Sequence, residues 1–136
     1  MNYTNNEFEN EEWKCFYESN ASRWKHVNYK KYWWISSLGR VKITYNYKDE
    51  IKWPKLYITG NNRHEGYYSI SINQAPEKYV HRLVAKYFVA NPDGMNVVDH
   101  INHDKHDNRA ANLQWISHGE NIKKGYAYRR ELNGGV

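Results

Sequence analysis

One cysteine in 136 residues, Cys15, excludes an internal disulfide and a cysteine-rich zinc site. A reducing interior is the compartment that fits such a chain. No uninterrupted apolar run approaches the ~20 residues needed to cross a bilayer, so no membrane partner is expected. Met1–Glu12 is polar and acidic, which is wrong for a signal or transit peptide. Three prolines and eight glycines are too few for a low-complexity chain, and no internal repeat is visible. Aliphatic side chains are sparse. What takes their place is aromatic: 13 Tyr, 6 Trp and 3 Phe, enough for a thin core rich in rings.

Acidic charge is also scarce once the first 18 residues are passed. That segment carries Glu7, Glu9, Glu11, Glu12 and Glu18 against Lys14 alone, a net −4 within a chain of net +5. The remaining 118 residues hold 19 bases against 10 acids, a net +9. So basic a body suits a polyanionic partner such as nucleic acid. The acidic tail could mask that surface.

Hydropathy patterning changes midway along the chain. Trp24–Val27 and Tyr32–Ser36 are aromatic, β-prone runs, and Ser37-Leu38-Gly39-Arg40 is a turn leading into Val41–Tyr45. Trp53–Ile58 reads as extended around Pro54, and Tyr67–Ile72 alternates with period two. The first half is therefore a small antiparallel sheet. Val80, Leu83, Val84, Tyr87 and Phe88 then fall on one face of a helix that stops before Asn91-Pro92. Asn96–Ile101 and Leu113–Ile116 are short strands flanking a polar loop, Asn102–Asn108. Ser117 with Glu120 forms a capping box for a helix over His118–Gly125, with fraying expected after Tyr128.

Asp99-His100, Asn112 and Asn121 fall on a strand end, a loop-to-strand junction and a helix, 12 and 9 residues apart. A strand–loop–strand–helix unit of this size can bring them together. Asp99 and Asn121 offer hard oxygen donors, which suit Mg²⁺ or Mn²⁺. Alternation sends Asp99 and His100 to opposite faces of an extended strand, so a common target needs a break there.

Val98-Asp99-His100-Ile101, Asp107-Asn108-Arg109, Asn112-Leu113-Gln114-Trp115 and Glu120-Asn121 together resemble the HNH nucleases with a ββα-metal site. The resemblance is to the subgroup typified by phage and intron-encoded homing endonucleases. His81-Arg82-Leu83-Val84-Ala85, with Phe88 and Asn91-Pro92, matches that subgroup's helix. Trp24-Lys25 and Tyr32–Val41 resemble its small N-terminal module. The likeness covers roughly Trp24 to Lys124.

The resemblance implies an α+β fold: a small antiparallel sheet module followed by a ββα-metal (HNH) nuclease motif. It divides the chain into a flexible acidic tail (1–18), a DNA-contacting sheet module (19–79), the nuclease motif (80–125) and a flexible basic tail (126–136). His100 is implied as the general base that takes a proton from the attacking water. Asn112 is implied to fix the loop and orient His100 through a hydrogen bond. Asp99 and Asn121 are implied to hold one divalent cation, Mg²⁺ or Mn²⁺, with Asn121 standing where many relatives have a final His. The implied activity is metal-dependent hydrolysis of phosphodiester bonds in double-stranded DNA, one strand at a time, by a monomer. Dimerisation on DNA stays open. Arg40, Lys42, Lys55, Arg63, His81, Arg82, Arg109, Lys123 and Lys124 are the expected DNA contacts.

The chain departs from the family at Asn102-His103-Asp104, where an Asp-Gly-Asn turn is usual. Without Gly, a left-handed backbone position is expected at Asn102 or Asp104. The 136 residues also lack the DNA-reading helix-turn-helix that often follows. An alternative reading is therefore a DNA-binding module with a vestigial nuclease site. His100, His103 and His106 at three-residue spacing could suggest zinc, but the loop is not helical, and solvated or phosphate-contacting side chains are the plainer reading of His103 and His106. His81 at a helix start is as readily a helix-end hydrogen bond as a DNA contact. Trp115 is expected to pack beneath the metal site.

Overall fold

The computed structural model describes residues 8–22, 24, 27–60 and 66–134. Its first sheet has the order β1 (Trp13–Asn20), β2 (Lys30–Ser36), β3 (Val41–Tyr45), all antiparallel. Alternation along β2 and β3 turns Trp33, Ile35, Val41 and Ile43 inward, as period-two patterning requires. Across the sheet, Trp34 Nε1 donates to Thr44 Oγ1 at 2.8 Å, satisfying a half-buried indole. The β2–β3 turn falls where expected. Lys25, His26 and Arg63 lie outside the described residues, and neither Trp24 nor Val27 belongs to a strand.

Part of the segment expected to be a flexible tail, residues 13–18, belongs to a strand instead. Trp13–Asn20 is a strand paired with β2 from Trp13↔Ser36 to Asn20↔Lys30, and Phe16 and Tyr17 pack on the core. Just before β1, Glu11 is buried in an ion pair with Arg40.

Downstream, β4 (Tyr57–Ile58) and β5 (Tyr68–Ser69) form a two-stranded ladder, shorter than the alternation over Tyr67–Ile72 suggests. α1 (Val80–Phe88) follows, with Val80, Leu83, Val84 and Ala85 buried. Each of the larger three contributes roughly 1.5–3 kcal/mol by leaving water. α1 packs on both sides: the core that holds Trp33, Ile35, Val41 and Ile43 continues through α1 to Val98 and Leu113. The regions on either side of residue 80 thus share one core.

β6 (Val97–His100) and β7 (Leu113–Ile116) make an antiparallel hairpin in the register Val97↔Ile116, Val98↔Trp115, Asp99↔Gln114, His100↔Leu113. A 3₁₀ turn, Ala110–Asn112, leads into β7. The Trp115 indole donates to the carbonyls of Ala85 (3.3 Å) and Val89 (3.2 Å), so this ring fastens the hairpin to the end of α1. Ser117 caps α2 (His118–Leu132): its Oγ accepts from the Glu120 amide at 3.1 Å. The helix runs past Gly125 and Tyr128, beyond the expected frayed end. A single helical Gly costs only about 1 kcal/mol, and Arg129 and Arg130 favour the C-terminal end of the dipole.

Candidate active site

The hairpin and α2 meet at a cavity of about 260 Å³. Asp99 and His100 reach it from β6, and Asn121 and Lys124 from the first turns of α2. His103, Lys105, Tyr128 and Arg129 line the same space. The residues expected to hold a cation and the expected base are thereby brought together. β6 stays a regular strand through His100, so the expected break is absent before it. Alternation holds instead: His100 turns into the protein at 5% exposure, while Asp99 sits on the opposite face among polar groups. Both border the cavity because it lies at the end of the strand, where the chain turns away at Ile101.

Asp99 Oδ2 accepts from Gln114 Nε2 at 2.8 Å and from the Lys124 ammonium. The same ammonium lies 3.3 Å from the His100 carbonyl oxygen and 3.4 Å from that of Ile101. A positive charge thus gathers three oxygens at this point. That is the donor chemistry a hard divalent cation seeks, and Asn121 adds an amide oxygen on the same cavity. The residues fit such a cation.

The His100 ring is held by its surroundings. Its Nε2 lies 2.7 Å from Asn108 Oδ1, so Nε2 carries the proton and Nδ1 keeps the lone pair. Burial pushes the His100 pKa below its ordinary value, although the Asn108 bond and the nearby Asp99, Asp104 and Asp107 pull the other way. The ring is therefore neutral at neutral pH and able to accept a proton. Two further rings flank it: His81 at 5.2 Å and Tyr67 at 5.9 Å between centroids, themselves stacked at 4.6 Å.

Asn112 does not orient His100 as expected. Its Oδ1 accepts from the Asn102 amide (3.1 Å), and its Nδ2 donates to Asn102 Oδ1 and the Asp107 carbonyl, both at 2.9 Å. It fixes the loop, as the resemblance implies, while Asn108 meets the imidazole. Sequence reading passed over Asn108, although it lies within the quoted Asp107-Asn108-Arg109. Tyr67 was read only as the start of the alternating run Tyr67–Ile72, with nothing local to tie it to His100.

The loop itself differs too. The left-handed position is His103 (φ 63°), not Asn102 or Asp104. Those two side chains are engaged in accepting bonds from the amides of Asp104 (2.9 Å) and His106 (3.0 Å). His103, free of that duty, stacks on Tyr128 at 4.0 Å. His106 lies 3.2 Å from the Gly66 carbonyl and against Tyr68. The three histidines thus serve different neighbours, and no cluster of three His, Cys, Asp or Glu suited to a metal occurs among the described residues.

Among the expected DNA contacts, Arg40 and His81 are buried. Arg40 pairs with Glu11 and lies 4.9 Å from the Trp53 ring centroid and 4.6 Å from that of Phe8. Burial opposes the Glu11 charge, but the Arg40 guanidinium and the Ser36 hydroxyl outweigh it and hold this carboxyl below its usual range. His81 is pushed down to about 3 by burial, with the charges of His100 and Arg82 adding to it. Arg82 pairs with Glu77 (3.1 Å), and Arg109 is gripped by both oxygens of Asp107 at 2.8 Å, though its side chain stays exposed. Lys42 lies over Trp13 (4.1 Å) and Lys55 over Tyr57 (5.3 Å). Lys123 is exposed on α2, whereas Lys124 is turned to Asp99.

The chain is similar to known proteins. The family model described as HNH endonuclease matches residues 78–123. The chain is 38% identical over 109 residues to the uncharacterized HNH endonuclease L247 of Acanthamoeba polyphaga mimivirus, covering 74% of the chain and 25% of that protein. It is 30% identical over 104 residues to the uncharacterized HNH endonuclease L245 of the same virus, covering 74% of the chain and 29% of the relative. The chain thus spans between a quarter and a third of the relatives' length. The fold is similar to that of the HNH homing endonuclease I-HmuI, from work on its DNA binding and cleavage, with a TM-score of 0.53 and 23% identity over 92% of this chain and 60% of that one. Among the described residues no helix is long and apolar enough to cross a membrane. Within this α+β fold of sheet, hairpin and capping helix, residues 78–123 match the HNH endonuclease family.

Proposed function

We propose that the chain is a divalent-metal-dependent endonuclease that hydrolyses phosphodiester bonds in double-stranded DNA, one strand per event. The observation that carries this reading is the convergence of Asp99, His100 and Asn121 on one cavity bordered by Lys105, Lys124 and Arg129.

The roles follow from the chemistry of each group. His100, neutral and with Nδ1 unprotonated, takes a proton from a water molecule, which then attacks the phosphorus. Asp99 and Asn121 would hold the cation, Mg²⁺ or Mn²⁺, which when bound would supply Lewis-acid stabilisation of the phosphate and of the charge developing on the departing 3′-oxygen. Lys105 and Arg129 border the cavity and attract the backbone on either side of the cut. Lys123, Lys55 and the net +9 of residues 19–136 supply the salt-dependent, sequence-independent part of binding. One base and one carboxylate-amide pair per chain make a single strand the natural product. A monomer suffices for it.

The test is supercoiled plasmid incubated with the protein and Mg²⁺ or Mn²⁺. Open circles should accumulate before linear DNA and vanish with EDTA. His100→Ala should slow nicking by about 10²–10⁴, and Asp99→Ala, which loses a cation ligand, should abolish it. Cleavage that survives EDTA, or a His100→Ala enzyme of normal rate, refutes the proposal. Salt-sensitive duplex binding with no nicks under any divalent ion would leave only a DNA-binding role.

A further inference from the structure

The sheet module reaches the active site through one turn. Between β2 and β3, Gly39 adopts φ 83°, a conformation that side chains rarely take. A Cβ there would stand 2.9 Å from Asn108 Cβ and 3.1 Å from the Asn108 carbonyl oxygen. Only glycine satisfies both the conformation and the approach. The neighbouring Ser37 carbonyl accepts from the Ala110 amide at 2.8 Å, tying the turn to the segment just after Asn108. On its other side the turn is braced from within: Ser36 Oγ accepts from the amides of Leu38 (3.2 Å) and Arg40 (3.0 Å). Arg40 is in turn anchored by Glu11.

Asn108 is therefore clamped, 5% exposed, with its amide oxygen 2.7 Å from His100 Nε2. We infer that Asn108 is a positioning residue for His100, selecting the tautomer that leaves Nδ1 as proton acceptor, and that the Gly39 turn of the sheet module holds Asn108 in place. A neutral imidazole has two tautomers, and the hydrogen bond made by one nitrogen decides which is populated. Asn108 Oδ1 can only accept, so the proton stays on Nε2. The N-terminal sheet then does more than grip DNA: it completes the catalytic geometry of a hairpin that begins nearly 60 residues downstream of the turn. This inference rests on His100 being the base, as proposed above.

The experiment compares wild type with Asn108→Ala, Asn108→Asp and Gly39→Ala, using the full chain. ¹⁵N NMR of labelled histidine, without DNA or metal, reads the His100 tautomer directly, its signal assigned by loss in His100→Ala. Wild type should show the Nε2-protonated form. Asn108→Asp keeps an acceptor and should keep that form. Asn108→Ala and Gly39→Ala should shift the population toward the other tautomer. In plasmid nicking, Asn108→Ala should lose a large part of the general-base contribution of about 10²–10⁴ in kcat with KM little changed, and Asn108→Asp should recover most of it. An unchanged tautomer in Asn108→Ala overturns the inference, as does an Asp variant as slow as the Ala one while keeping the wild-type tautomer. Should Asn108→Ala fail to fold, Gly39→Ala and Asn108→Asp decide by the same two readouts. If the wild type cuts no DNA, the endonuclease reading fails, while NMR still decides whether Asn108 sets the ring.

Discussion

His81 makes the pH dependence of stability a sharp test of the packing around the active site. Its ring packs against both Tyr67 and His100 at 7% exposure, and its Nδ1 is buried with no hydrogen-bond partner among the described residues. Folding therefore holds it neutral, with a pKa of about 3 against 6.5 for the free side chain. Below pH 6.5 the unfolded chain takes up a proton at this position that the folded chain refuses. The stabilisation is thus complete above pH 6.5 and is lost as pH falls toward 3. At 1.36 kcal/mol per unit, the loss between pH 7.5 and pH 5 comes to about 2 kcal/mol from this one group. His81→Phe keeps an aromatic ring in the stack and removes the titration. Urea denaturation of both proteins at the two pH values gives a double difference from which the carboxylates and the other histidines largely cancel. The variant should gain about 2 kcal/mol relative to wild type on going from pH 7.5 to pH 5. Parallel pH dependence in the two proteins, within about 0.5 kcal/mol, would refute the reasoning. It would mean that the folded protein accommodates a charged ring there, by hydration or by a partner.

Three further outcomes test other parts of the molecule. Glu11→Gln removes the carboxylate charge that pairs with the buried Arg40 and should cost about 3–5 kcal/mol in thermal or urea denaturation. Because the Glu11 pKa is lowered on folding, its contribution is present above pH 4.5 and disappears on acidification below it, a loss the variant should lack; equal acid sensitivity would contradict the pairing. Lys124→Ala removes the ammonium that competes for Asp99, so Mn²⁺ binding by calorimetry without DNA should tighten by about fivefold, roughly 1 kcal/mol. Weaker binding would show that Lys124 supports the cation rather than standing in its place. Lys123→Ala, a change on the exposed side of α2, should lower the slope of log affinity for duplex DNA against log salt by about one while leaving the melting temperature unchanged; an unaltered slope would remove α2 from the interface.

Local patterning carried a good share of the architecture. Val41–Tyr45 and Leu113–Ile116 are strands with the expected bounds, the α1 face buries Val80, Leu83 and Val84, and Ser117 caps α2. Each of these depends on neighbours within about four residues, the range over which alternation, helical periodicity and capping act. Asp99, His100 and Asn121 were legible because a strand–loop–strand–helix unit of this size can bring them together and because their motif resembles the HNH nucleases.

Interactions spanning the chain were beyond such signals. Arg40 looks like any surface cation until Glu11, 29 residues earlier, and three aromatic rings close around it. His81 looks like a helix-end residue until β6 lays His100 against it. Which asparagine meets His100 was decided by the fit of the Gly39 turn against Asn108, because two amides with the same chemistry differ only in where packing puts them. The scarcity of acids already pointed to a polyanionic partner, whereas the core rich in rings that composition suggested is aliphatic, with Trp33 the one aromatic among its fully buried described residues. How charge divides between the buried Arg40 and the exposed Lys123 is set by tertiary packing, since burial depends on what covers a side chain and not on the side chain alone.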